Sequence, residues 1–136
     1  RGGIVMFQWK DKYSVGIDII DEQHKKLFEI GNKAYELLKD EFCVDHYDGV
    51  IEIINELRDY TKFHFQTEEE YMLKINYSRY FTQKVAHDDF IQKIYEIDFE
   101  QIDEDPKSYA QELLTFVYEW ISYHILQQDK LIPDQL

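Results

Sequence analysis

Four histidines and two carboxylates interrupt apolar stripes that are otherwise spaced for helices: His24, His64 with Glu68, His87, and His124 with Asp129. Imidazole nitrogen and carboxylate oxygen without a thiolate suit iron, zinc or manganese, and suit calcium poorly because it takes oxygen donors. Four imidazoles and two carboxylates exceed the tetrahedral demand of one zinc ion, and a carboxylate can bridge, so the set predicts two metals rather than one. A single histidine on such a stripe is ordinarily a core or surface side chain with a satisfied hydrogen bond. A convergent group is different, because buried imidazoles and carboxylates without partners are costly unless a cation holds them. The chain has no His-Glu-x-x-His motif of zinc proteases and no Glu-x-x-His of ferritin-like carboxylate bundles.

The elements that must position these groups follow from periodicity. Ile20, Leu27, Phe28, Gly31, Ala34, Tyr35 and Leu38 recur at three- and four-residue steps and predict a first helix, with Asp18 or Asp21 as its cap. An irregular arm carrying Trp9 precedes it. Asp45 is suited to cap a second helix with the stripe Val50, Ile53, Ile54, Leu57 and Tyr60, running to about Leu73. His64 and Glu68, four residues apart on that stripe, share one face. A turn at 76–78 leads to a third helix over about 78–99 that turns Val85, Phe90, Ile91, Ile94 and Ile97 inward. Pro106 suits the first turn of a fourth helix that buries Leu113, Phe116, Val117, Trp120 and Ile121 and runs to about Leu131.

Short connections favour antiparallel neighbours, so the fold class is all-α, an up-down-up-down four-helix bundle with an irregular N-terminal arm. In that topology the start of the first helix, the end of the second, the start of the third and the end of the fourth share one end. All six candidate ligands therefore fall in one layer. His46, beside the start of the second helix, belongs to the opposite end and reads as a surface or capping residue.

Composition bounds the rest. The 136 residues suit one domain, 1–136, and the 44% apolar content with 9 Phe and 11 Tyr against 5 Gly and 2 Pro favours long helices over short strands. Residues 1–5 read as a remnant of expression or the tail of an upstream segment. The net charge of -13 would repel a polyphosphate, which argues against nucleic acid as a partner. No apolar run approaches the roughly 20 residues of a membrane span, and no signal peptide is recognisable, so the expected setting is cytoplasmic. The single cysteine, Cys43, fits a reducing compartment and reads as half-buried filler near a helix junction.

The pattern resembles the hemerythrins, most of all the bacterial hemerythrin domains. The residues that carry it are Phe7-Gln8-Trp9, Val15-Gly16-Ile17-Asp18 with Asp21-Glu22-Gln23-His24, His64-Phe65-x-x-Glu68-Glu69 with Met72, His87-x-x-Phe90, and Trp120-x-x-x-His124-Ile125-x-x-x-Asp129. The likeness spans 6–131. It implies two iron ions joined by an oxo or hydroxo bridge, with His24 and His64 on one iron, His87 and His124 on the other, and Glu68 and Asp129 bridging both. Asp129 lies five residues after His124, about 140° around an ideal helix. The resemblance therefore implies a distortion there, and periodicity does not support the role.

Gln83 departs from the pattern: it stands four residues before His87, where the family has a third histidine on the more crowded iron. It is a core-edge amide without a metal role, a weak carbonyl ligand, or the neighbour of a water that fills the position. The resemblance implies dioxygen as the ligand, entering at the two-histidine iron in a dry, apolar pocket; read from this sequence, the candidates for its wall are Trp120, Ile121 and Ile125, with Phe28 or Phe65. It implies reversible oxygen binding or oxygen and redox sensing, the latter through a separate signalling domain or redox partner. A di-iron enzyme acting on peroxide or nitric oxide is the alternative, and a bundle with a purely structural metal or zinc is a third.

Overall fold

The structure is a computed structural model that describes residues 7–39, 46–96 and 106–133. Among these, α1 spans Asp18–Lys39, α2 His46–Lys74, α3 Tyr80–Tyr95 and α4 Pro106–Gln127, with short 3₁₀ turns at Asp11–Tyr13 and Asp129–Leu131. The expected all-α four-helix bundle is what forms. Each successive pair runs antiparallel, as the cross-links show. Lys33 reaches Glu56 while Gln23 reaches Thr67 between α1 and α2; Arg58 lies over Tyr95 while Lys84 pairs with Glu69 between α2 and α3. His87 meets His124 and Phe90 stacks on Phe116 between α3 and α4, and Phe28 of α1 faces Tyr118 of α4. No helix among the described residues is long and apolar enough to cross a membrane.

The core runs the length of the bundle, through Ile20, Leu27, Leu38, Leu57, Phe90, Leu114, Val117 and Ile125 among others. Helix-period reading fails in two places. Val85 is 59% exposed rather than inward, because α3 buries Gln83, His87, Phe90 and Ile94, and a residue midway between 83 and 87 faces the other side. Asp18 and Asp21 lie inside the first turn of α1 instead of capping it. The Asp21 carboxylate instead accepts the Val15 N–H at 2.8 Å and the Ser14 hydroxyl at 2.7 Å, which folds the preceding loop against the helix. Gly16 turns that loop at φ +79, a conformation L side chains rarely adopt. Asp45, Cys43, Ile97 and the stretches 1–5 and 97–105 lie outside the described residues, as do the side chains of His46 and Val50.

The N-terminal arm is tied down by Asn32, whose amide accepts the Phe7 N–H at 3.0 Å and donates to the Phe7 carbonyl at 2.7 Å. The Phe7 ring packs edge-on against Phe28 and Tyr118 over Gly31, where a Cβ would lie 2.6 Å from the ring. Gly31→Ala gains about 1 kcal/mol of helix propensity. Overpacking a ring that cannot retreat costs about 1–3 kcal/mol. The net expectation is a lower thermal midpoint, and a midpoint equal to or above wild type would show that the arm yields.

Candidate metal centre

All six predicted ligands are brought together, and every one is buried: His24, His64, Glu68, His87, His124 and Asp129. His24 enters from the second turn of α1, His64 and Glu68 from α2, His87 from α3 and His124 from the last turn of α4. His46 opens α2, eighteen residues from His64, or about 27 Å along the helix at 1.5 Å per residue.

Asp129 needed a break in the helix, and the break is there. α4 stops at Gln127, Gln128 takes φ -119 and ψ -55, and a 3₁₀ turn begins at Asp129. The fourth helix is thus shorter than the reading to Leu131. Ile132, wholly buried in a small cluster with Met72 and Tyr77, anchors the turn and aims the carboxylate back under the bundle.

The carboxylates divide their oxygens. Glu68 Oε2 lies 3.3 Å from His24 Nε2 and 3.2 Å from His64 Nε2, while its Oε1 lies 3.1 Å from His87 Nε2. Asp129 Oδ2 lies 3.2 Å from His24 Nε2 and its Oδ1 3.3 Å from His124 Nε2. Two donor groups result, His24–His64–Glu68–Asp129 and Glu68–His87–His124–Asp129, each compact enough to hold one ion and sharing both carboxylates. Both Glu68 oxygens and Asp129 Oδ2 are buried and make no hydrogen bond. Such atoms are expensive to bury, and lone pairs left open in this way are what a cation would occupy.

Gln83 is not at the core edge. It is 1% exposed, its amide nitrogen donates to Asp129 Oδ1 at 2.9 Å, and its carbonyl oxygen is buried without a hydrogen bond. Of the residues proposed as a dry wall, Ile121, Ile125, Phe28 and Phe65 are buried and Trp120 is half-buried. Phe65 stacks on His87 at 3.9 Å and Trp120 on His124 at 4.5 Å, so these aromatics cover the His87–His124 half and not, as expected of the wall, chiefly the His24–His64 half. Phe28 instead joins the aromatic cluster of Phe7, Trp9 and Tyr13.

Two further residues carry weight that the sequence showed only as letters inside motifs. Gln23 Oε1 lies 2.8 Å from His64 Nδ1, and Glu69 Oε2 lies 2.8 Å from His87 Nδ1. The signal that finds them is chemical: an imidazole that gives one nitrogen to a metal needs a partner for the other.

Without metal, the facing carboxylates favour the protonated form of two of the imidazoles. Burial pushes His24 down, but Asp129 and Glu68 more than offset it and raise it to about 9. Burial likewise lowers His87, and Glu68 and Glu69 raise it to about 9. His64 stays below its usual value because burial outweighs Glu68. Burial would raise Glu68, yet His64 and the other facing imidazoles hold it well below the carboxylate range. Burial and Glu68 would both raise Asp129, and His124 and His24 bring it below its usual value. For His24 and His87 the folded value exceeds the ordinary 6.5, so their stabilisation is complete below 6.5 and is lost as pH rises through about 9. The metal-free protein should therefore melt at a lower temperature at pH 9 than at pH 6.5, whereas a metal-loaded sample, with those nitrogens occupied, should not. A flat or rising midpoint for the metal-free protein would contradict this.

Four helices that deliver imidazoles in two groups around shared, buried carboxylates define a dinuclear metal-binding bundle. The chain belongs to the hemerythrin family: the profile described as the hemerythrin HHE cation binding domain matches residues 15–134. It is 52% identical to the bacteriohemerythrin of Clostridium acetobutylicum over 125 residues, 92% of this chain and 97% of that protein. It is 32% identical to the bacteriohemerythrin of Stenotrophomonas maltophilia over 135 residues, covering 98% and 83%, and 28% identical to a hemerythrin-like protein of Naegleria gruberi over 123 residues, covering 90% and 87%. Two iron ions are thus the cofactor, and the family supports an oxygen-binding or sensing role.

Proposed function

We propose that this chain binds dioxygen reversibly, as a carrier or a sensor, at a di-iron centre held by His24, His64, Glu68, His87, His124 and Asp129. The observation that carries this reading is the division of each carboxylate between two imidazole groups, which is the arrangement a pair of bridged cations requires. When bound, the ferrous pair supplies the electrons that dioxygen borrows and returns.

The protein's own part is positioning and exclusion. Phe65 and Trp120 lie flat on His87 and His124 and cover one face of each ring, while Ile121 and Ile125 are buried in the apolar core. Gln23 orients His64 from behind. Gln83 leaves the His87–His124 half one imidazole short of the family pattern, with a buried amide in its place.

That shortage is the one observation favouring the alternative, a di-iron enzyme acting on peroxide or nitric oxide, since it opens a second exchangeable position. One experiment addresses both readings. The reduced protein, with iron quantified, is exposed to air and then to repeated removal of oxygen while its visible spectrum is followed. Return of the starting spectrum over several cycles supports binding. Irreversible oxidation, with sustained turnover of peroxide or nitric oxide when a reductant is supplied, overturns it in favour of the enzyme. Zinc in place of iron, in protein from iron-replete cells, removes both.

A further inference from the structure

The two halves of the centre have unequal backing. His64 Nδ1 faces the neutral amide oxygen of Gln23 at 2.8 Å, and His24 Nδ1 is buried with no hydrogen bond. His87 Nδ1 faces a carboxylate, Glu69 Oε2, at 2.8 Å. Its Nε2 points inward to Glu68 and His124, so the proton on this ring belongs on Nδ1 and is donated to Glu69. Phe65 lies parallel to the ring at 3.9 Å and 1°, a stacking contact that favours this ring orientation. Glu69 is itself buried and braced on its outer side by Lys84 Nζ, 3.3 Å from Oε1. These groups border a cleft of about 410 Å³ between α2 and α3, lined also by Phe65, Ile91 and Tyr95.

We propose that Glu69 is a positioning residue that tunes the iron on the His87 side, an inference resting on the ligand assignment above. A carboxylate accepting from a metal-bound imidazole pulls charge toward the metal-facing nitrogen and makes it a stronger donor. That stabilises the ferric over the ferrous ion. Such backing falls on the half where Gln83 replaces a histidine, so Glu69 restores part of the donor strength that this iron lacks. The two irons accordingly differ in reduction potential, with the one held by His87 and His124 oxidised first.

The test compares wild type, Glu69→Gln and Glu69→Leu by iron content, affinity for zinc as a redox-silent probe, and spectroelectrochemical titration. Glutamine keeps an acceptor oxygen without the charge. It should retain metal and raise the potential of the iron that oxidises first, bringing the two steps closer together. Leucine removes the acceptor and should weaken binding of one of two zinc ions by about 10–100-fold. If wild type and both variants bind two metals alike and give superimposable titrations, Glu69 has no such role. If wild type binds no pair of irons, or if His87→Ala keeps both, the ligand assignment has failed instead.

Discussion

Glu68→Gln should leave the bundle unable to hold either iron. Glu68 gives one oxygen to each half of the centre, is wholly buried, and has no hydrogen bond on either oxygen. Replacing one oxygen by an amide nitrogen turns a lone pair into two N–H bonds aimed at a cation, and removes the charge that both ions share. Residues that only orient a ligand cost about 10–100-fold in metal affinity when changed, so loss of a shared anionic ligand should exceed that range. His64→Ala provides the contrast, because its imidazole reaches only one half and should release one ion while weakening the second less. Metal content after dialysis, with far-UV circular dichroism to show that the helices persist, reads the difference. Two irons retained by folded Glu68→Gln protein would dismantle the bridged arrangement.

Gln83→His is expected to slow oxidation of the reduced protein in air by about tenfold or more, a change that needs only ~1.4 kcal/mol on the barrier. Gln83 sits one turn before His87 on the buried face of α3, with its carbonyl oxygen buried and making no hydrogen bond. On the proposed ligand assignment, an imidazole there would add a third nitrogen donor on the His87–His124 side, where Gln83 otherwise leaves room for an exchangeable ligand. The substitution also removes the N–H that Gln83 donates to Asp129 Oδ1, which leaves that oxygen wholly to the metal. Stopped-flow mixing with air, followed in the visible, gives the rate. If wild type already persists for many minutes without net oxidation, or if the variant oxidises faster, Gln83 is not the weak point.

Much of this centre was legible from residue type and spacing. His64 and Glu68 share a face because they are four apart, and alternation of helix direction puts His24, His87 and His124 at their level. Other features were not legible. Val85 was read inward because apolar residues are expected to face the core, whereas α3 gives that face to Gln83 and His87. Asp129 could not be placed by helical geometry at all, since its position depends on where α4 gives way to a 3₁₀ turn and on Ile132 finding Met72 and Tyr77. Gln23 and Glu69 stood in plain view inside the motifs, without a role until the rings they face were fixed.

The amino-acid sequence by itself determined the helices, their order and the set of donor groups, because periodicity and side-chain chemistry are properties of the chain alone. Tertiary structure decided which oxygen of each carboxylate serves which half, which imidazole is backed by a charge and which by an amide, and that Gln83 is fully enclosed. Those are differences of a few ångströms between elements far apart in the chain, and local sequence carries no measure of such distances.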